Sequence, residues 1–273
     1  MYKIFNDVDK TFVINLTNDI YRKEHVIKEF KDKFENYEFI EGISHDNDEV
    51  KNLFKKNKVM AFPPCFRCNQ EKCDHSNNFL TPKQVGNFLS FKKIMENVVN
   101  NDYENVIIFE DDFKFVINSK LSFNNLYRFI HSKKLLNTEY PLLFRIGSHT
   151  VVNKKYYLKL LLLRKSSFFE NNIENMANPC FLINNSYARL FLKNFNVINT
   201  TSDNFIHRKI IEKNKVLNFS IYPFPVTQLS YGKKYNLFKS SITSNPVNND
   251  FSSLNKVSSG KEYKNLKSNW LKN

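Results

Sequence analysis

The sequence predicts an α/β fold, a mostly parallel mixed central sheet flanked by helices. Three observations carry that prediction. Short apolar runs of strand length alternate with longer segments of helical period from residue 11 to residue 223, the pattern that builds βαβ units. Residues 106–115 read V-I-I-F-E-D-D-F-K-F, four apolar residues running straight into Glu110, Asp111 and Asp112. A continuous apolar run suits a strand buried on both faces, and the carboxyl end of such a strand is where open α/β sheets bind their ligands. Thr81-Pro82-Lys83-Gln84 is a helix start: Thr81 is the N-cap, Pro82 fits the first helical position, and Gln84 completes a capping box.

Residues 11–16 (T-F-V-I-N-L) read as the first strand, rich in β-branched and aromatic side chains. Asn18 or Asp19 caps the next helix, with Ile20, Ile27, Phe30 and Phe34 on one face. Residues 37–40 form a second strand and residues 47–56 a brief helix. The capped helix runs from 81 to about 100 and turns Val85, Phe88, Leu89, Met95 and Val98 to a core. A crossover then delivers the acidic strand. Beyond it, residues 121–134 read as a helix, 142–146 as a strand, 151–163 as a hairpin or long strand, and 178–183 as a strand. Ser186 caps a helix that buries Tyr187, Leu190 and Phe191. Residues 200–203 precede a helix over 204–213, and residues 219–223 form the last strand. The expected domain spans residues 1–230, followed by a basic Ser/Asn/Lys-rich tail over residues 231–273.

Hydrophobic residues at 41% and aromatics at 15% supply a packed core and exclude a disordered chain. The net charge of +14 favours anionic partners: nucleotide phosphates, nucleic acid or an acidic membrane surface. Five glycines are too few for Gly-rich phosphate loops, and none of the motifs is present. No stretch approaches the ~20 apolar residues that span a bilayer, and the N-terminus lacks an apolar core of signal-peptide length. The expectation is an intracellular, cytoplasmic protein with reduced or metal-bound thiols.

Two clusters carry chemistry. Crowded carboxylates resist ionising together unless a cation neutralises them, and magnesium or manganese suits oxygen ligands that bridge to phosphate. Glu110, Asp111 and Asp112 fit that role; the alternative is a solvated acidic turn. In the loop over residues 63–79, Cys65, Cys68, Cys73 and His75 are spaced C-x2-C-x4-C-x-H. Such thiolate and imidazole ligands suit a tetrahedral zinc, structural because four protein ligands leave no open position. The alternative is reduced cysteines packed as small hydrophobes.

In order along the chain, F-V-I-N-L with Arg22 downstream, L-T-P-K-Q-V-G-N-F-L-S, I-I-F-E-D-D-F, N-P-C-F-L-I-N-N-S-Y-A-R-L and T-S-D-N-F-I-H resemble motifs of glycosyltransferase family 25. These are lipopolysaccharide and collagen-type sugar transferases of GT-A fold, and the collinear resemblance covers about residues 11–230. Two features depart from it: Phe91 stands where the family usually has His, and the Cys-rich loop is outside the family's common core. The resemblance implies a metal-dependent, inverting transfer of galactose or glucose from a UDP-sugar to a hydroxyl of a glycan, lipid or protein acceptor. It implies Asp112 as the first metal ligand and Glu110 as the second, or as an acceptor for the ribose. Asp111, Asn15 and Arg22 would lie near the nucleotide, and Gln228 and Ser230 in a loop near the donor. Asp203 would be the catalytic base. Against these stand plainer roles: Arg22 as an exposed helix residue, Asp203 as an N-cap, and His207 as a buried helix histidine rather than a metal or phosphate ligand.

The competing class is a basic, zinc-knuckle-like nucleic-acid-binding protein; a third reading is an inactive transferase-like fold. The basic charge and tail also fit peripheral contact with an anionic membrane.

Overall fold

The computed structural model describes residues 2–59, 80–148, 154–170 and 178–229. The Cys/His-rich loop with Cys65, Cys68, Cys73 and His75, Ser230, and the tail over residues 231–273 lie outside the described residues. So do residues 151–153, at the start of the expected hairpin.

β1 (Lys10–Asn15), α1 (Ile20–Phe30) and β2 (Tyr37–Glu41) form the first βαβ unit. After α2 (Asp48–Lys55), the capped helix α3 (Pro82–Asn100) leads to β3 (Asn105–Glu110). The Thr81–Gln84 capping box forms in both directions. β4 (Phe113–Phe115), α4 (Ser119–Ser132), β5 (Leu142–Arg145), α5 (Lys154–Leu162) and β6 (Ser167–Glu170) follow. Next come β7 (Cys180–Asn184), α6 (Asn185–Asn194), α7 (Ser202–Asn204), a π-helical turn (Phe205–Lys209) and α8 (Ile210–Lys213). β8 (Leu217–Tyr222) and β9 (Val226–Gln228) close the described chain.

Seven strands form one mixed sheet in the order β2-β1-β3-β7-β5-β8-β6, and β4 pairs with β9 in a small second sheet. β7 and β6 are antiparallel to their neighbours, so the other five strands share one direction. Side chains alternate between two cores, as a sheet covered on both faces requires. Phe12, Ile14, Val106 and Ile108 face α3 and α6, and Val13, Ile107 and Phe109 face α1 and α4. The chain passes from β1 to β2 on one side, then returns to place β3 on the other side of β1. Their carboxyl ends diverge there, which opens a crevice at a topological switch point.

Several expectations are corrected. Residues 154–162 are a helix, not a hairpin or long strand: Tyr157, Leu160 and Leu161 recur at helical spacing on its inner side. The buried face of α1 is Arg22, Val26 and Phe30, while Ile20 and Ile27 are exposed. An ion pair between Arg22 and Asp111 turns the helix away from its most apolar stripe. Phe34 is buried, but beyond the end of the helix. Asn184, not Ser186, caps α6, accepting from the Tyr187 N–H. The residue 106–115 run breaks after Glu110, and Phe113–Phe115 belongs to the second sheet. The strand expected over 219–223 spans Leu217–Tyr222 and is followed by β9.

The position of α3 depends on Gly86. A Cβ there would lie 2.4 Å from the carbonyl oxygen of Ile43. Ser90, one turn on, accepts from the Ile43 N–H at 2.8 Å and donates to the Gly86 carbonyl. The helix is thereby held flush against the loop after β2. Gly86→Ala is expected to lower stability by about 1–3 kcal/mol through overpacking, read as a lower urea midpoint at unchanged slope.

Candidate active site

The break after Glu110 is the centre of the site. β3 ends at Glu110, the chain turns through Asp111 and Asp112, and β4 starts at Phe113. Antiparallel pairing sets Phe113 opposite Gln228, and the Leu229 N–H donates to the Asp112 carbonyl at 2.7 Å. α1 braces the other side of β4: His25 Nε2 donates to the Phe113 carbonyl at 2.6 Å, and Glu29 accepts from the Phe115 N–H at 3.0 Å.

These constraints separate the three carboxylates. Asp111 turns toward α1, where its oxygens accept from Arg22 Nη1 at 2.7 Å and Asn15 Nδ2 at 2.9 Å. Arg22 also pairs with Asp19 at 3.1 Å and is only 7% exposed, so it is not the exposed helix residue of the plainer reading. Burial lifts the Asp111 pKa to about 6 despite the guanidinium. Burial works against the charge on Arg22, but Asp111, Asp112 and Asp19 raise its pKa overall.

Glu110 and Asp112 turn the other way. Gln228 Nε2 bridges them, donating to Glu110 Oε2 at 3.3 Å and Asp112 Oδ2 at 3.1 Å. Asn87 Nδ2 donates to the other oxygen of Glu110 at 3.5 Å, while its own oxygen accepts from Ser202 at 2.5 Å. Asp112 Oδ1 is buried with no hydrogen-bond partner. Burial pushes the Glu110 pKa well above the carboxylate range, and Asp112, Asp111 and Asp203 push it further. A buried, unpaired carboxylate oxygen beside a carboxyl under such repulsion is the chemistry of a cation site. Among the described residues no group of three or more His, Cys, Asp or Glu side chains is arranged to hold a metal ion. Asp111 is occupied by Arg22, which leaves Glu110 and Asp112 as the two carboxylates without a cationic partner among the described residues.

Asn15, Asp19, Arg22, all three acids and Gln228 line one cleft at the switch point, of about 760 Å³ counting space open to solvent. Ser44 and His45 from the loop after β2, and Lys83, Asn87 and Ser90 from α3, complete it. Sequence reasoning missed these five. A signal existed for Asn87 and Ser90: polar residues at i, i+3 interrupt the apolar face of α3.

Asp203 is not the N-cap; Thr201 is, and Asp203 lies in the first turn of α7, accepting from the Asn204 N–H at 2.9 Å. It is partly exposed beside the cleft, near enough to raise the Glu110 pKa, and its own pKa is raised by burial. His207 is fully buried in the π-helical turn. Arg145 Nε donates to its Nδ1 at 3.0 Å, so the ring proton sits on Nε2 and is donated to Asn178 Oδ1 at 2.5 Å. Burial, then Arg145, lowers its pKa and keeps it neutral. Both ring nitrogens are committed, so the plainer reading of His207 holds. Phe91 is fully buried against Phe181 in the α3 core, not in the cleft.

A family model described as "Glycosyltransferase family 25 (LPS biosynthesis protein)" matches residues 8–206. The chain belongs to glycosyltransferase family 25, and its sheet of mixed strands with flanking helices is consistent with a GT-A-like fold. It is therefore a glycosyltransferase, with a sugar donor and a glycan or lipid acceptor in general. No curated protein matches the chain. No described helix is long and apolar enough to cross a membrane.

Because the folded-state pKa of Glu110 lies above its unfolded value, its ionised form destabilises the fold. That penalty is absent below the unfolded value and grows as pH rises toward the folded one. In chelator, Glu110→Gln is expected to melt above wild type at about pH 8, the gap closing toward about pH 4. Thermal denaturation across pH checks it; a variant less stable at high pH contradicts it.

Proposed function

We propose that the cleft binds a nucleoside-diphosphate sugar, a UDP-hexose such as UDP-galactose or UDP-glucose, together with manganese or magnesium, and transfers the sugar with inversion. The observation that carries this reading is the unpaired, buried Oδ1 of Asp112, a residue that lines the same cleft as Glu110 and Gln228. Asp112 would be the first ligand and Glu110 the second, a set of one or two carboxylates that suits magnesium or manganese bound together with a diphosphate. When bound, the metal neutralises charge gathering on the leaving diphosphate.

The chain's own residues do the rest. Gln228 and Asn87 fix the two oxygens of Glu110. The Arg22–Asp111–Asn15 group holds the end of β1 against the acidic turn, where the nucleotide would lie. An acceptor hydroxyl attacks the anomeric carbon as the bond to the diphosphate oxygen breaks, and its proton passes to Asp203. A base whose pKa is raised by burial suits that task near neutral pH. The acceptor is a glycan, glycolipid or protein hydroxyl, and membrane contact fits the +14 charge.

The aromatic residues give the nucleic-acid reading little support. Among the described aromatic residues only Tyr21, Tyr140, Tyr156 and Phe169 are exposed, and they lie on four different segments, which leaves little for a base-stacking platform.

Calorimetry with a UDP-sugar panel is expected to show one donor bound in manganese and none in chelator. Asp112→Asn should weaken that binding by about 100-fold or more. Asp203→Asn should leave donor binding unchanged and lower kcat by roughly 10²–10⁴-fold. Donor binding indifferent to chelator would defeat the proposal.

A further inference from the structure

α5 presents an unusual outer face. Lys155, Leu158, Lys159 and Leu162 recur at i, i+3, i+4 and i+7, which places them on one side of the helix. Leu158 is 57% exposed and Leu162 84%. Leu163, Arg164 and Lys165 continue this exposed surface past the end of the helix. Among the described residues, none of Lys155, Lys159, Arg164 and Lys165 is in an ion pair. Residues 154–165 contain no acid at all.

The helix is anchored, so these leucines are not displaced core residues. Leu160 is buried in the α1–α4 core, and Tyr157 packs against it. Tyr156 stacks on Tyr222 at 5.8 Å and shares a hydrogen bond with Ser167 at 2.5 Å. A surface helix ordinarily turns polar residues outward. This one turns out leucines and unpaired cations together, the composition of helices that lie in a membrane interface.

We propose that the outer face of α5 docks on the headgroup layer of an anionic lipid bilayer. Cations meet lipid phosphates, and the leucines enter the boundary beneath them. Charge argues against the other occupants. A second copy would set four unpaired cations against the same four. The tail over residues 231–273 holds eight lysines against two acids, so it is repelled by the same face. α1 also exposes Ile20, Tyr21 and Ile27, but Glu24 lies among them.

The placement has a consequence for transfer, which rests on the glycosyl-transfer reading as the docking itself does not. β8 runs in the same direction as β3. Tyr222, where α5 is pinned, therefore ends its strand at the sheet edge where Asn15 and Glu110 end theirs. Docking through α5 leaves the cleft on the membrane-proximal edge, within reach of a lipid-borne acceptor.

The test is co-sedimentation of the full chain with phosphatidylcholine vesicles, with and without phosphatidylglycerol, at two salt concentrations. Wild type is expected to bind the anionic vesicles, more weakly in high salt, and to leave the neutral ones. Leu158→Ser with Leu162→Ser should weaken binding roughly tenfold, with melting temperature and UDP-sugar binding unchanged. Lys155→Gln with Lys159→Gln should weaken it and flatten the salt dependence. Wild type that ignores anionic vesicles, or a leucine variant that binds as wild type does, overturns the proposal. Self-association lost in the leucine variant would assign the face to a second copy and overturn it equally. UDP-sugar binding, measured in parallel, reports on the transfer reading independently.

Discussion

Three consecutive carboxylates at a buried strand end must be opposed by something, and the site is arranged around how each is opposed. Asp111 is given a guanidinium and an amide, Arg22 and Asn15. Glu110 is given two amides, Asn87 and Gln228, which soften the repulsion without neutralising it. Asp112 keeps one oxygen buried and unpaired. Under the proposed reading, the repulsion between Glu110 and Asp112 is a cost that a bound divalent cation would remove, which would couple folding of the cleft to metal binding.

The same constraint explains features far from the acids. Burying Arg22 sets the rotation of α1 and leaves Ile20 and Ile27 in solvent. The close approach at Gly86 brings Ser44 and His45 opposite α3 and puts Asn87 within reach of Glu110. Asn87 in turn accepts from Ser202, one residue before Asp203, so the acidic turn and the start of α7 are linked through α3. The replacement of the family's usual His by Phe91 removes nothing from the cleft walls, since that position faces the core.

Much of the fold was legible because its signals are local. The capping box at Thr81 and Gln84, the apolar run of β3 and the β-branched run of β1 each announce one element and no other. The residues of the cleft were legible in part: Asn15, Arg22, Glu110, Asp111, Asp112 and Gln228 do line one space. What failed depended on distant partners. Residues 154–162 carry a composition that suits strand or helix, and only packing of Tyr157 and Leu160 decides it. β4 and β9 are each too short to read alone and exist because they pair with each other. His207 stayed open between ligand and buried helix residue, because nothing in sequence shows Arg145, some sixty residues away, occupying its ring. Ser44 and His45 enter the cleft from a segment with no sequence mark of a site, and Lys83 from a motif that marks the family without singling out that residue.

The most direct measurement of the central claim is anomalous scattering from manganese in crystals grown with UDP. The account predicts one manganese bonded directly to an oxygen of Asp112 and to the diphosphate, with Glu110 beside it and Asp111 still paired with Arg22. Manganese absent from the turn after β3 while UDP is bound, or a metal held by Asp111 with Arg22 displaced, would contradict it.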